Sequence, residues 1–490
     1  MRNGYLKPAA AIAGVSAVLG ALSFARPATA GPGLVVGAVA DSVRSSTLVD
    51  AEAKMETFRL AGFRAVRITS YWHPGETAPD AGELTVIQNV ATAASMNGVR
   101  VFVTVMSPGS ATTPLTDDAR AGFASYASAV VRGAPSIHDL IIGNEPNRNR
   151  FWLPQFNPDG SDAAASSYIA LLAQTYDTVK AVAPDVTVYG GAVSPRGSDN
   201  PNGVRPTHSP TAFIRDLGAA YRASGRDRPV MDAFAIHVYE DNSSIPPTFA
   251  HPNGTTIAIA DYDKLVTTLG EAFDGTAQPG STLPILYGEF GVEAQIPASK
   301  AGLYSGTELP ATKPVPESTQ AEYYAQALAL AFCQPTVAGL LIFQAQDQPE
   351  LANWQSGVFY ADGTPKSSLP QVRAALNRAA GGSIARCPGL QLVVHTTYLR
   401  FGTRTAARKG LFRATLSCDL DCLYEVRVVK LPGGVTKLAR RGRADAGELV
   451  HVTFLPHHLG PGTYRYSLRL VHPVNPAPPT LREGQPFVLP

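Results

Sequence analysis

Two glutamates in the sequence each follow directly on a short apolar run. Glu145 lies in Gly-Asn-Glu-Pro-Asn (143–147), and Glu289 lies in Tyr-Gly-Glu-Phe-Gly (287–291). Two carboxylates held at one site can divide a reaction between a proton donor and a nucleophile. Cleavage of a glycosidic bond needs such a pair beside the bond. The two glutamates are therefore the first candidates for chemistry, provided that the fold brings them together.

The elements that must position them alternate in texture from Gly33 to about Ala379. Short apolar runs rich in β-branched residues alternate with longer stretches of helical period, which predicts repeated βα units around a parallel sheet. The strand-like runs are Leu34–Ala40, Ala65–Thr69, Val99–Val105, Ile137–Ile142, Val186–Tyr189, Ala233–Val238, Ile285–Tyr287 and Val337–Phe343. Eight such units close an α/β fold of the (β/α)8 or TIM-barrel type.

Helical patterns lie between these runs. They cover Leu48–Ala61, Thr116–Val131, Ala163–Val182, Thr211–Ala223, Asp261–Phe273, Ser318–Phe332 and Ser367–Ala379. An open doubly wound sheet is the competing architecture. It would carry a Gly-rich fingerprint after its first strand, and residues 37–41 lack that spacing.

In a TIM barrel the reacting groups lie at the carboxyl ends of the strands. The polar residues at these ends that we take as site candidates are Arg67, Asn144, Glu145, His237, Tyr239, Glu289 and Gln344. Glu145 follows the fourth strand and Glu289 follows the seventh, so their carboxylates are expected to face each other across the opening of the barrel.

Four of these motifs, in this order, resemble the clan A glycoside hydrolases, the superfamily that includes families 5, 39, 42 and 53. Asn-Glu-Pro at 144–146 is similar to the clan signature after strand four, and the run around Glu289 is similar to its second glutamate site. His-Val-Tyr at 237–239 resembles the His-x-Tyr of strand six, and Arg67 matches the arginine of strand two. The resemblance covers about residues 33–380.

The resemblance implies a role for each residue. Glu145 would be the acid/base with a raised pKa, and Glu289 the ionised nucleophile of a retaining reaction with a covalent intermediate. Arg67 and Tyr239 would orient Glu289. Asn144 would bind a sugar hydroxyl, and His237 would line the pocket.

The chain departs from the clan pattern at two positions. Phe343 or Gln344 stands where many members carry a tryptophan after strand eight, and residues 105–108 lack the histidine that family 5 members often have after strand three. The family, the sugar and the linkage therefore stay open. Trp72, Trp152 and Trp354 lie in loops predicted on the active face, and each is either a sugar platform or a packing anchor.

Two alternative functions remain open on the sequence: a catalytically silent carbohydrate-binding barrel and a transglycosylase that uses the same carboxylate pair. Glu293 is a second glutamate close to the Glu289 motif, and we do not assign it a role. No metal or other cofactor is expected, because His237 with Asp241 is too small a set of ligands.

The charge balance argues against a nucleic-acid partner, and the first residues indicate an exported protein. Lys and Arg number 41 against 39 Asp and Glu, with no basic run, so there is no electrostatic case for a nucleic-acid partner. Arg2 and Lys7 precede an apolar stretch from Ala9 to Ala25, and Ala28-Thr29-Ala30 then offers small residues for cleavage, which predicts a signal peptide over residues 1–30. The alternative is a retained membrane anchor, but the apolar run is shorter than the ~20 residues that span a bilayer. We expect a secreted monomer that acts on carbohydrate and has no membrane contact after cleavage.

The end of the chain has a different texture. Five strand-like runs without helices predict a small β-sandwich at 390–490, after a catalytic domain at 31–385: Leu390–Phe401, Leu411–Cys418, Leu423–Lys430, Leu449–Phe454 and Thr463–Val471. Its role is that of a spacer or stabilising module, or of a carbohydrate-binding module. The short spacing of Cys418 and Cys422 favours a local disulfide, which leaves Cys333 for Cys387, one of three possible connectivities.

Overall fold

The computed structural model describes residues 31, 33–381, 394, 396–402, 412–418, 422–445, 448–455, 459–473 and 479–489. Eight parallel strands form a closed barrel in which each strand pairs with the next along the chain and the eighth pairs with the first. The strands are β1 (Val35–Val39), β2 (Ala65–Tyr71), β3 (Arg100–Met106), β4 (Asp139–Ile142), β5 (Thr187–Val193), β6 (Ala233–His237), β7 (Ile285–Phe290) and β8 (Val337–Phe343). The predicted TIM barrel is confirmed.

Eight helices alternate with these strands. They are α1 (Leu48–Leu60), α2 (Ala81–Asn97), α3 (Asp117–Gly133), α4 (Ala163–Val182), α5 (Pro210–Ala223), α6 (Tyr262–Phe273), α7 (Glu317–Cys333) and α8 (Leu369–Ala380). The sequence prediction assigned no bounds to α2. Its start is set by Asp80, whose side chain accepts from the Glu83 N–H, and its end by Gly98 in the left-handed conformation.

The apolar runs are buried on both faces, which explains why they do not alternate in polarity. One face packs against the helices in a cluster that takes side chains from every barrel strand. The other face fills the barrel interior, where Phe102 of β3 and Tyr189 of β5 pack ring against ring at 5.6 Å. The filled interior leaves the strand ends as the place where polar side chains can converge.

The C-terminal part forms two antiparallel sheets with one shared core. Its strands are β9 (Thr396–Gly402), β10 (Phe412–Cys418), β11 (Cys422–Leu431), β12 (Val435–Ala444), β13 (Val450–Phe454), β14 (Gly462–Val471), β15 (Thr480–Glu483) and β16 (Phe487–Leu489). The first sheet has the order β13-β10-β9, and the second has β12-β11-β14-β15 with β16 also on β14. The predicted sandwich-like β domain is confirmed.

Three strands of this domain were missing from the sequence prediction: β12, β15 and β16. The side chains of β12 are mostly exposed, so its sequence shows no apolar pattern. A strand that buries little surface cannot be recognised by hydrophobic periodicity.

A disulfide joins Cys418 at the end of β10 to Cys422 at the start of β11, as the spacing predicted. Cys333 is also disulfide-bonded, and its expected partner Cys387 lies outside the described residues. The predicted signal peptide (1–30) and the predicted domain boundary at 385–390 lie outside them too. No helix in the described ranges is both long and apolar enough to cross a membrane.

Candidate active site

Glu145 stands on a tight turn directly after β4. Its backbone has φ +39°, in the left-handed region, and its N–H donates to the Ala192 carbonyl of β5 at 2.8 Å. Asn147, which we did not single out from sequence, holds this turn in place. Its buried side chain accepts from the Ser194 N–H at 2.8 Å and donates to the His208 carbonyl at 3.0 Å. The sequence around Glu145 thus builds a turn that presents the carboxylate at the mouth of the barrel.

Glu289 lies at the end of β7 and is held from two other strands. The Arg67 guanidinium of β2 forms an ion pair with one carboxylate oxygen and also donates to the Gly288 carbonyl at 3.2 Å. The hydroxyl of Tyr239 donates to the other oxygen at 2.8 Å. Charged and hydrogen-bonded partners on both oxygens stabilise the ionised form of the carboxyl group.

Tyr239 is suited to remain a donor. Burial, together with the charge of Glu289, raises the pKa of the Tyr239 hydroxyl well above its usual value. The phenol therefore keeps its proton at neutral and moderately alkaline pH, and its hydrogen bond to Glu289 persists there.

His237 connects the two glutamates. Its buried ring places Nδ1 3.0 Å from Oε1 of Glu145 and 3.4 Å from Oε2 of Glu289. Those two oxygens are therefore no more than about 6.4 Å apart, the sum of the two distances. A nitrogen that faces carboxylate oxygens carries the proton, so His237 donates to Glu145, and the same nitrogen lies close to Glu289. Sequence reasoning had given this residue only a lining role.

The protonation of Glu145 differs from the expectation. Burial raises the pKa of the Glu145 carboxyl, but the hydrogen bond and charge of His237, with Arg148 and Ser194, lower it by more. The net pKa lies below its usual value. The predicted raised pKa is therefore wrong for the ligand-free protein, because donors and positive charge surround a carboxyl that was expected to face mainly an anion and apolar walls.

Asn144 has a polar atom available for a ligand. The side chain is partly exposed, and its Oδ1 atom is buried with no hydrogen-bond partner in the described part of the chain. The Nε2 atom of His237 is in the same state. Buried polar atoms without partners cost free energy, which a hydrogen-bonding ligand would recover.

Three aromatic rings gather beside Glu289. Trp354 packs 4.9 Å from the Tyr239 ring and 5.2 Å from the Phe343 ring, measured between centroids. Trp354 and Phe343 are partly exposed, as is Gln344, whose backbone N–H donates to Ser356 Oγ at 3.1 Å. Trp354 therefore supplies indole surface close to the position where the clan pattern has its strand-eight tryptophan.

The other two tryptophans are packing anchors, so the alternative of a substrate-binding sugar platform is wrong for both. Trp72 is fully buried; its Nε1–H donates to the Glu76 carbonyl at 2.9 Å, and its ring packs on Phe123. Trp152 is buried as well and donates to Ser167 Oγ at 2.9 Å. Neither ring has a face open to a sugar.

No family model and no curated protein matches the sequence. Among solved structures, GH5_18 from Streptomyces cattleya in complex with GlcNAc is similar over 71% of this chain and 80% of its own, at 15% identity and a TM-score of 0.48. The exo-β-1,4-mannosidase Op5Man5 from Opitutaceae bacterium strain TAV5 is similar over 72% of this chain, at 15% identity and a TM-score of 0.46. A mutant of Bacteroides uniformis β-glucuronidase 2 is similar over 93% of this chain, at 11% identity and a TM-score of 0.44.

This chain spans 60% of the mannosidase and 45% of the β-glucuronidase. The activities in these names are properties of those proteins.

Proposed function

We propose that this chain is a glycoside hydrolase that cleaves O-glycosidic bonds of an oligo- or polysaccharide with retention of anomeric configuration. Glu145 acts as the acid/base and Glu289 as the nucleophile. The observation that carries the proposal is that both carboxylates, at the carboxyl ends of β4 and β7, lie beside the same imidazole nitrogen of His237.

The separation of the two carboxylates supports retention. The two carboxylate oxygens that face Nδ1 of His237, one from Glu145 and one from Glu289, are at most about 6.4 Å apart. Inverting enzymes need about 6.5–9.5 Å to admit a water molecule, whereas retaining enzymes have about 5–5.5 Å. The upper limit of about 6.4 Å lies below the inverting range, which favours attack by Glu289 itself over attack by an intervening water.

The assignment of roles rests on the partners of each group. Both oxygens of Glu289 accept from a positively charged or hydroxyl donor, which suits an anion that attacks the anomeric carbon. Glu145 is the more exposed of the two, with 16% of its side chain accessible against 10% for Glu289, and it has room to face a leaving-group oxygen.

In the first step, a Glu289 oxygen forms a bond to the anomeric carbon as the glycosidic C–O bond breaks. Glu145 gives its proton to the departing oxygen. In the second step, Glu145 removes a proton from water, the water oxygen bonds to the same carbon, and the bond to Glu289 breaks. Glu289 then regains its full negative charge, which the Arg67 and Tyr239 donors stabilise.

The first step requires Glu145 to be protonated, although its pKa in the ligand-free protein is low. A bound sugar excludes water from the remaining exposed part of the carboxyl and thereby favours its neutral form. Because kcat/KM reports the groups of the free enzyme, it should fall as the pH rises above the lowered pKa of Glu145. We therefore expect an acidic optimum for kcat/KM.

The test is a panel of aryl glycosides and polysaccharides, with three variants of the full chain. Glu289→Gln should remove activity, and Glu145→Ala should lose it but be rescued by azide on a substrate with a good leaving group. Glu293→Gln is the matched control, and it should retain activity. Wild-type turnover by Glu289→Gln would overturn the assignment.

The same panel separates the alternatives. Binding of sugars without turnover by the wild type would support a silent carbohydrate-binding barrel. Transfer products without hydrolysis would support a transglycosylase. Retention itself is read from the anomer that first appears in the NMR spectrum of the product.

We also propose that the chain is exported and cleaved after residue 30. The charged and apolar pattern of residues 1–30 supports this. Sequencing the N-terminus of protein recovered from culture medium tests it, because an intact Met1 there would contradict cleavage.

A further inference from the structure

A second group of polar side chains lies next to the candidate active site but takes no part in it. Glu240 directly follows Tyr239, and only 4% of its side chain is accessible. Neither carboxylate oxygen has a hydrogen-bond partner among the residues that the structure describes. The protein atoms alone thus accommodate the charge of this carboxylate poorly.

His251 faces this carboxylate in a fixed orientation. Its Nδ1 lies 2.9 Å from Oδ2 of Asp261, and its backbone N–H donates to Oδ1 at 2.8 Å. Asp261 can only accept, since its Oδ2 also receives the Ala258 N–H at 3.0 Å. Nδ1 therefore carries the proton of the neutral ring, and the lone pair lies on Nε2.

The lone pair of His251 has no partner of its own within the described ranges. Nε2 is buried and unbonded, 3.8 Å from Oε2 of Glu240 and 4.0 Å from Oδ2 of Asp241. These distances are too long for hydrogen bonds. They are close to the separation of about 3.4 Å between two ligands that each bind a tetrahedral cation at about 2.1 Å.

We propose that His251 and Glu240, with Asp241 at the open side, bind one divalent transition-metal cation. One imidazole with carboxylates suits Zn²⁺ or Mn²⁺ better than the all-oxygen preference of Ca²⁺. Asp261 plays the supporting part that a carboxylate plays behind a metal-binding histidine, fixing its tautomer and ring. Asp241 is half-exposed, which gives the ion a route in from solvent.

The charges around the site permit a cation. Arg196 lies 3.4 Å from Oδ1 of Asp241, and Lys264 lies 3.4 Å from Oδ1 of Asp261. Two positive groups therefore face the three carboxylates of Glu240, Asp241 and Asp261. One net negative charge remains when Glu240 is ionised, and this charge attracts a cation.

In the described residues, three potential ligand atoms lie within 4.8 Å of one another in a different cluster, that of Asp162, His208 and Asp216. There Nε2 of His208 lies 2.8 Å from the Gln155 carbonyl and so donates its proton. That nitrogen has no lone pair for a metal, and the two carboxyl groups can share a proton. This cluster therefore serves as the control for nonspecific binding of metal ions to acidic side chains.

The test is a titration of the chelator-treated full chain with Zn²⁺ by calorimetry, repeated with Co²⁺ to read ligand geometry from its visible absorption. We expect one ion per chain and a higher unfolding temperature with Zn²⁺. Glu240→Gln and His251→Gln should each weaken binding at least tenfold, whereas Asp216→Asn should bind as the wild type does.

Absence of stoichiometric Zn²⁺ binding by the wild type would overturn the proposal, whatever the variants do. Binding retained by both Glu240→Gln and His251→Gln, or lost in Asp216→Asn alone, would also overturn it. Melting each variant with chelator present separates loss of the site from loss of the fold. The measurement uses no sugar, so its outcome is independent of the proposed hydrolase activity.

Discussion

His237 donates through Nδ1 to Oε1 of Glu145 at 3.0 Å, and the same nitrogen lies 3.4 Å from Glu289. One imidazole thus couples the carboxyl groups at the ends of β4 and β7. A change in the charge of one glutamate therefore changes the free energy of protonating the other, because the ring interacts with both. The pH dependence of the reaction should therefore depend on this histidine as well as on the two acids.

His237→Asn tests that coupling. His237 is the strongest of the groups that lower the pKa of Glu145, so its loss should raise that pKa. The descending limb of kcat/KM at high pH reports the protonated form of Glu145 in the free enzyme. It should move to higher pH, by on the order of one unit for about 1.4 kcal/mol of lost interaction. A limb that stays in place, or moves down, would contradict the coupling.

Tyr239→Phe removes one donor from Glu289 while keeping the ring. A hydrogen bond to a charged group contributes about 1.5–3 kcal/mol, so kcat should fall roughly 10- to 100-fold. The comparison is Tyr221→Phe on α5, which removes a hydroxyl that donates to the Arg228 carbonyl and should leave kcat unchanged. Equal effects of the two variants on kcat would mean that the loss is one of stability.

Trp354→Ala removes the partly exposed indole beside Tyr239 and Phe343. An aromatic contact of about 0.5–1.5 kcal/mol with a sugar would make KM rise roughly 2- to 12-fold with a smaller change in kcat. Trp72→Phe instead removes a buried hydrogen bond and should lower the unfolding temperature without changing KM. A rise in KM for Trp72→Phe and none for Trp354→Ala would reverse our assignment of platform and anchor.

Glu293 should make the stability of the barrel depend on pH. Burial, reinforced by Glu308 and Asp347, raises the pKa of its carboxyl from 4.5 to about 7. The folded protein therefore holds a proton that the unfolded chain loses above pH 4.5. The free energy of unfolding should fall as the pH rises through this window, by up to about 3 kcal/mol.

Glu293→Gln should flatten this decline, and the exposed acid variant Glu56→Gln should not. Urea unfolding at pH 4.5 and 7.5, followed by tryptophan fluorescence with chelator present, measures it. All three tryptophans precede residue 380, so the signal reports the barrel and not the β domain. Parallel curves for the wild type and Glu293→Gln would refute the prediction.

The strands and the two glutamates were predictable because their signals are local. A strand buried on both faces must be apolar along its length, and a barrel places polar residues at the strand ends. The prediction of β8 as Val337–Phe343 agrees with the structure residue for residue. Elements that bury little, such as β12, left no such signal and were missed.

The residues at the mouth of the barrel could be predicted from the sequence, since strand order and side-chain alternation follow from the chain. The contacts that these residues make depend on the folded structure. Contacts between separate strands or loops hold His237 against Glu145 and place His251 opposite Glu240. Such contacts also leave Trp354 partly exposed and bury Trp72. Their distances depend on the stagger of the barrel and on loop conformation, which packing of the whole chain sets and local pattern does not.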